Sequence, residues 1–146
     1  VQTPSGIWDT FTRKNKELRA CVAYLEDKKE KIPLLALPDT LHPTYSAFKE
    51  YKTSTKKWTQ KQVDESASKG QMCFYSTAIW LAKDFLPSDM ELICATTAYD
   101  LEGRLYPTGD IFSYKVQTSL ADVIKMTARI RRAWHGIQEL CNKELI

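Results

Sequence analysis

The chain is short of almost everything that announces chemistry. It has two histidines, His42 and His135, and neither has a serine, cysteine or carboxylate at the spacing of a hydrolytic triad. Its five glycines form no GxGxxG or phosphate-binding loop. The four cysteines stand 52, 21 and 47 residues apart, with no CxxC and no zinc-module spacing. "DLEGRLYPTGD" lacks the alternating carboxylates and closing glutamate of a calcium loop and reads as two turns. No apolar run approaches the roughly 20 residues that span a bilayer. No Asn-x-Ser/Thr acceptor is present, because Asn15 and Asn142 both precede Lys-Glu. On these absences no enzyme, cofactor or metal is expected, and no membrane span.

What is present suits one ordinary globular domain over residues 1–146, with 43% hydrophobic and 27% charged residues. The net charge of +3 is small, but it is segregated. Residues 43–62 hold five lysines against one glutamate, whereas residues 70–119 hold three basic against six acidic residues. The start at Val1 and the even cysteine count fit a mature secreted chain with disulfides.

Along the chain, Trp8, Phe11, Asn15, Leu18, Val22 and Leu25 recur at spacings of 3 and 4, which predicts a first helix behind the Thr3-Pro4 cap. Pro33, Pro38 and Pro43 predict an extended connection. For residues 43–65 a lysine-rich helix is preferred to a strand. "QMCFYSTAIWL" and "ELICATTAY" read as two arms of a hairpin around Leu86–Asp89, and "IFSYKV" as a further strand. Ser119 and Asp122 open a final helix, whose stripe runs Leu120, Val123, Thr127, Ile130, Trp134, Ile137, Cys141. The fold class is therefore α+β: an antiparallel sheet of three or four strands in the centre, packed by N- and C-terminal helices, with the last helix across the sheet. The rival is an all-α bundle with helices at 72–86 and 89–101.

On this layout the cysteines pair as Cys21–Cys141 and Cys73–Cys94. The expected function is that of a non-enzymatic secreted binding protein. Its basic, aromatic-studded surface comprises Lys49, Lys52, Lys56, Lys57, Trp58 and Lys61, with Arg129 and Arg132 added from the last helix, and meets an acidic macromolecule. The same groups on one face would serve a nucleic-acid-binding or viral structural protein. A small-ligand carrier would instead turn Tyr75, Ile79, Trp80 and Tyr99 around an apolar pocket.

Overall fold

Cys21, Ala23 and Leu25 are buried while Val22 and Tyr24 lie outside, and this period of two makes β1 (Cys21–Asp27) a strand rather than the end of a helix. The helical spacing of Leu18, Val22 and Leu25 misleads because the small inward residues Cys21 and Ala23 carry little weight in it. The remainder of the predicted first helix lies outside the described residues, which in this computed structural model are 19–144. A two-residue turn with Lys28 at φ 56° returns the chain into β2 (Glu30–Ala36), antiparallel to β1. The proline segment is extended as expected, yet it is a paired strand: Pro33 sits opposite Tyr24 on the outward face of a two-stranded sheet, where a missing N–H is tolerated.

The second sheet has the order β3-β4-β5-β6, from Thr40–Leu41, Ala47–Ser54, Asp89–Tyr99 and Leu105–Val116. Its β4–β5 pair is parallel and its other pairs antiparallel, so the fold is α+β with a mixed sheet, not a purely antiparallel one. Residues 47–54 are therefore strand, not lysine-rich helix; the alternation of Phe48 and Glu50 inward with Lys49 and Tyr51 outward decides it.

Two helices make the parallel crossover. The first, α1 (Gln60–Lys69), starts with a reciprocal Thr59–Gln62 capping box. Gly70 separates it from α2 (Gln71–Lys83), and a Cβ there would stand 2.9 Å from the Ser66 Cα. The reading of 72–86 as a hairpin arm is corrected by α2, in which every residue from Met72 to Ile79 except Phe74 is buried. A helix covered nearly all round has no polar face, so its sequence lacks the 3.6-residue signature. It packs against β1 and β2 on one side and the other helices elsewhere, and ends at Asp84 in the left-handed conformation.

The turn Asp100–Arg104 closes the β5–β6 hairpin, with the Asp100 carboxylate accepting the backbone N–H groups of Glu102 and Arg104 at 2.9 and 2.8 Å. "YPTGD" is not a second turn. It runs within β6, where Gly109 at φ 91° and a bulge opposite Ala95–Thr97 absorb the irregularity.

The last helix, α3 (Leu120–Glu144), begins as predicted: Asp122 N donates to Ser119 Oγ at 3.1 Å and Ser119 N to Asp122 Oδ2 at 3.2 Å. It does not cross the sheet. Val123, Met126 and Thr127 are buried, and the helix rests on α1 and α2. Its second half leans on the β1–β2 turn: Arg131 donates to the Glu26 carbonyl at 3.1 and 3.2 Å, and His135 pairs with Asp27 at 2.5 Å. Trp134 is only half-buried, and Ile137 and Cys141 at the end of the predicted stripe are exposed. No helix among the described residues is long and apolar enough to cross a membrane.

Candidate functional site

Six of the residues placed on one basic surface by sequence lie on β4, the loop after it, α1 and α3. Lys49 points to the outer sheet face, 4.0 Å from Glu91. Lys57 lies after β4 with its ammonium 4.2 Å from the centre of the Phe112 ring, and Trp58 is half-buried, its carbonyl accepting the Tyr114 hydroxyl at 2.5 Å. Arg132 is exposed on α3. Lys56 and Lys61 are exposed too, in the loop after β4 and in α1.

Lys52 differs, because an inward position on β4 carries it to a charged cluster at the edge of the core. Beside it stands Glu50, a carboxylate only 2% exposed. Asp39 follows the buried Pro38 and faces β4: its N–H donates to Glu50 Oε1 at 3.3 Å, and its Oδ2 accepts the Tyr51 N–H at 2.7 Å. The first two turns of α2 close the cluster with Gln71 and Tyr75, four residues apart on one helix face. Tyr75 donates to Glu50 Oε2 at 3.2 Å and receives Gln71 Nε2 at 2.8 Å. The Lys52 ammonium donates to Gln71 Oε1 at 2.6 Å and lies 3.6 Å from Glu50 Oε2. Phe48 packs edge-on to Tyr75, ring centres 5.6 Å apart, and fixes its position.

The electrostatics are unbalanced. Burial, and then the neighbouring Asp39 carboxyl, push Glu50 up to about 7, against the smaller opposing pull of Lys52. Tyr75 is raised too, by burial and by Glu50, and so stays a donor. Among the described residues every buried side-chain N or O has a partner, and no group of three or more Asp, Glu, His or Cys is arranged for a metal. The oxygens of the cluster belong to two carboxylates and the Gln71 amide, and those of Glu50 and Gln71 already accept from Tyr75, the Asp39 N–H and Lys52. One or two carboxylates, with waters and substrate phosphate, are the donors by which a hard cation such as Mg²⁺ is commonly held.

Arg129 reaches the end of α1 from α3: its Nη1 donates to the Lys69 carbonyl at 2.6 Å.

The disulfide pairing is corrected, and the residues of the carrier reading are not brought together. Tyr75 and Ile79 are buried in the core, whereas Tyr99 is 63% exposed near the β5–β6 turn, so these residues surround no common pocket. An open groove of about 490 Å³ lies elsewhere, between β1 and the end of α2, lined by Val22, Tyr24, Tyr45, Leu81 and Lys83 among others. All four cysteines are free; Cys21, Cys73 and Cys94 are buried and Cys141 is exposed. Cys73 and Cys94 lie on a helix and a strand rather than on facing hairpin arms, which removes the reason to pair them.

Sequence reasoning missed Asp39, Glu50 and Gln71, and named Tyr75 only as the lining of a carrier pocket. A signal existed: read as a strand, Phe48-Glu50-Lys52 places two opposite charges beside an aromatic on one face. Comparison with protein-family models, with curated proteins and with solved structures gives no match to this chain.

Proposed function

We propose that the protein hydrolyses phosphodiester bonds in a nucleic acid, with Asp39 and Glu50 as ligands of a divalent cation. The observation that carries this reading is the placement of Glu50, a buried carboxylate crowded by a second carboxylate, with Lys52 as its ion-pair partner. Such an arrangement costs stability, and groups held at that cost with a displaced pKa favour a functional role. Asp39 and Glu50 would be the residues to hold a divalent cation, whose charge would offset the crowding and which would supply Lewis-acid polarisation of a phosphoryl oxygen.

The chain's own groups then divide the work. Asp39 and Glu50 would offer the cation ligands, while the Gln71 amide oxygen accepts from Lys52. Lys52, a compact ammonium at the rim, faces the charge that grows on the phosphoryl oxygens. Tyr75 holds Glu50 in orientation through its hydroxyl and keeps its own proton. Lys56, Lys57, Lys61 and Arg129 supply the diffuse positive field that draws a polyanion toward the site. The lysine segment keeps the recognition role expected from sequence, but this reading replaces the non-enzymatic binding protein by a hydrolase.

The test is cleavage of end-labelled single-stranded and duplex DNA and RNA with Mg²⁺ or Mn²⁺, against an EDTA control. Cation-dependent cleavage that falls by about 10²-fold or more in Asp39→Asn and Lys52→Ala supports the reading. Binding without cleavage in either cation returns the lysines to a non-enzymatic role and overturns it.

A further inference from the structure

Strand β1 is paired on one side only. Its ladder to β2 runs without a bulge from Cys21–Ala36 to Asp27–Glu30, and among the described residues no other strand joins it. Pro33, opposite Tyr24, has no N–H, so that pair exchanges no hydrogen bonds. The alternation of an antiparallel ladder extends this to Val22 and Glu26. The backbone N–H and C=O groups of Val22 and Tyr24 therefore point away from β2. The Glu26 carbonyl, next in that series, is the one to which Arg131 of α3 donates. Among the described residues those of Val22 and Tyr24 have no backbone partner.

The groove of about 490 Å³ follows this edge, lined by Val22 and Tyr24 on β1, by Leu81 and Lys83 at the end of α2, and by Tyr45. Tyr45 is held at φ 63°, uncommon for a bulky residue, with its N–H on the His42 carbonyl at 2.8 Å. The Lys83 ammonium lies 4.6 Å from the centre of its ring. Among the described residues no carboxylate stands within ion-pair distance of that ammonium. Burial raises the Cys21 thiol, and Lys83 acts on it as the smaller, opposing influence, which sets the cation near the first residue of β1.

We infer that the groove binds the C-terminal end of an extended peptide, which adds to β1 as an antiparallel strand and sets its terminal carboxylate against Lys83. The unpaired N–H and C=O groups of Val22 and Tyr24 call for a partner with a backbone of its own, as in strand addition to a sheet edge. The uncompensated Lys83 calls for an anion at one end of that backbone. Direction follows from its place: a carboxylate at the Cys21 end requires the peptide to run opposite to β1. The edge from Ala20 to Tyr24 spans about 16 Å at 3.3 Å per residue, so the last four or five residues of the peptide are held. Alternate side chains turn toward Leu81 and are apolar; the others lie beside Val22 and Tyr24, themselves 55% and 56% exposed. The inference is independent of the hydrolytic reading.

Fluorescence anisotropy with the whole chain tests it, using a labelled hexapeptide of alternating threonine and valine that ends in a free valine carboxylate. The expected dissociation constant is about 10–100 µM, and amidating the C-terminus weakens binding about tenfold. Lys83→Met, at an exposed position, brings the acid peptide down to the level of the amide and leaves the amide unchanged. N-methylation of the peptide amides that face β1 abolishes binding, whereas N-methylation of the alternate amides changes it by less than about threefold. In hydrogen exchange the Val22 and Tyr24 amides are fast in the free chain and slow by at least about tenfold at saturation. No binding of the acid peptide at about 1 mM overturns the inference, whether a second copy or the chain's own first residues hold the edge. So does equal affinity for acid and amide, an unchanged Lys83→Met variant, or tolerance of N-methylation at both sets of amides.

Discussion

The Lys52 ammonium bridges two elements that the sequence keeps nineteen residues apart: from β4 it donates to Gln71 Oε1 at 2.6 Å in the first turn of α2, while lying 3.6 Å from Glu50. This bridge ties the strand that carries the carboxylate to the helix that carries Tyr75. Lys52→Met, which keeps the aliphatic stem but not the charge, should raise the Glu50 pKa further and abolish cleavage. The stability change should be near neutral at pH 5, where Glu50 is protonated, and a loss of about 1 kcal/mol at pH 8. Urea titrations at the two pH values measure it.

Glu50 itself sets a pH dependence of stability. Its folded pKa of about 7 stands above the ordinary carboxyl value of 4.5, so between those values the folded chain holds a proton that the unfolded chain has lost. Stability from this group is therefore present below pH 4.5, falls as pH rises, and is lost above about 7. At about 1.4 kcal/mol per unit the span is of order 3–4 kcal/mol. Glu50→Gln should be more stable than wild type at pH 8 by a similar amount and nearly equal to it at pH 4.5, as read by thermal melts at each pH. A wild-type advantage at pH 8 without added cation would contradict the account.

The thiols give a third expectation. Burial raises Cys21 and Cys73, which favours the unreactive thiol form. With Ellman's reagent, the exposed Cys141 should react at once and the three buried cysteines only after denaturant is added. Alkylation without prior reduction should then modify all four. A chain that needs reduction first carries a disulfide and departs from this structure.

Trp134 supplies a fourth. The sequence stripe alone predicts a fully buried ring, whose loss to alanine would cost roughly 3–5 kcal/mol. The half-buried ring, with its indole N–H 3.5 Å from Glu30 Oε2, should cost about 1–2 kcal/mol instead. Phe48→Ala, which empties a site 2% exposed and releases Tyr75, should cost the larger sum, by urea denaturation.

The elements legible in the sequence were those with one buried and one solvated face. The start of α3 declares itself through Ser119 and Asp122, and β5 through the alternation of Met90, Leu92 and Cys94 inward. Those that resisted had lost the contrast. The nearly all-round burial of α2 erases its period, and β1 hides behind small inward residues. In β4 the lysines alternate with residues whose role is set by Asp39 and α2, contacts that local spacing does not contain. The candidate site stayed unread for the same reason: Asp39, Glu50 and Gln71 converge only after the chain has passed from loop to strand to helix.

Calorimetric titration of Mn²⁺ into the full chain at pH 7.5, in parallel with Asp39→Asn and Glu50→Gln, bears most directly on the central claim. The account predicts one cation bound per chain in the wild type, with proton release that changes the measured heat between buffers of different ionisation enthalpy, because Glu50 must ionise to bind. Both variants should lose that binding while remaining folded. Equal Mn²⁺ binding by wild type and variants, or none by any of them, would show that Asp39 and Glu50 hold no cation and that the cluster only ties β4 to α2.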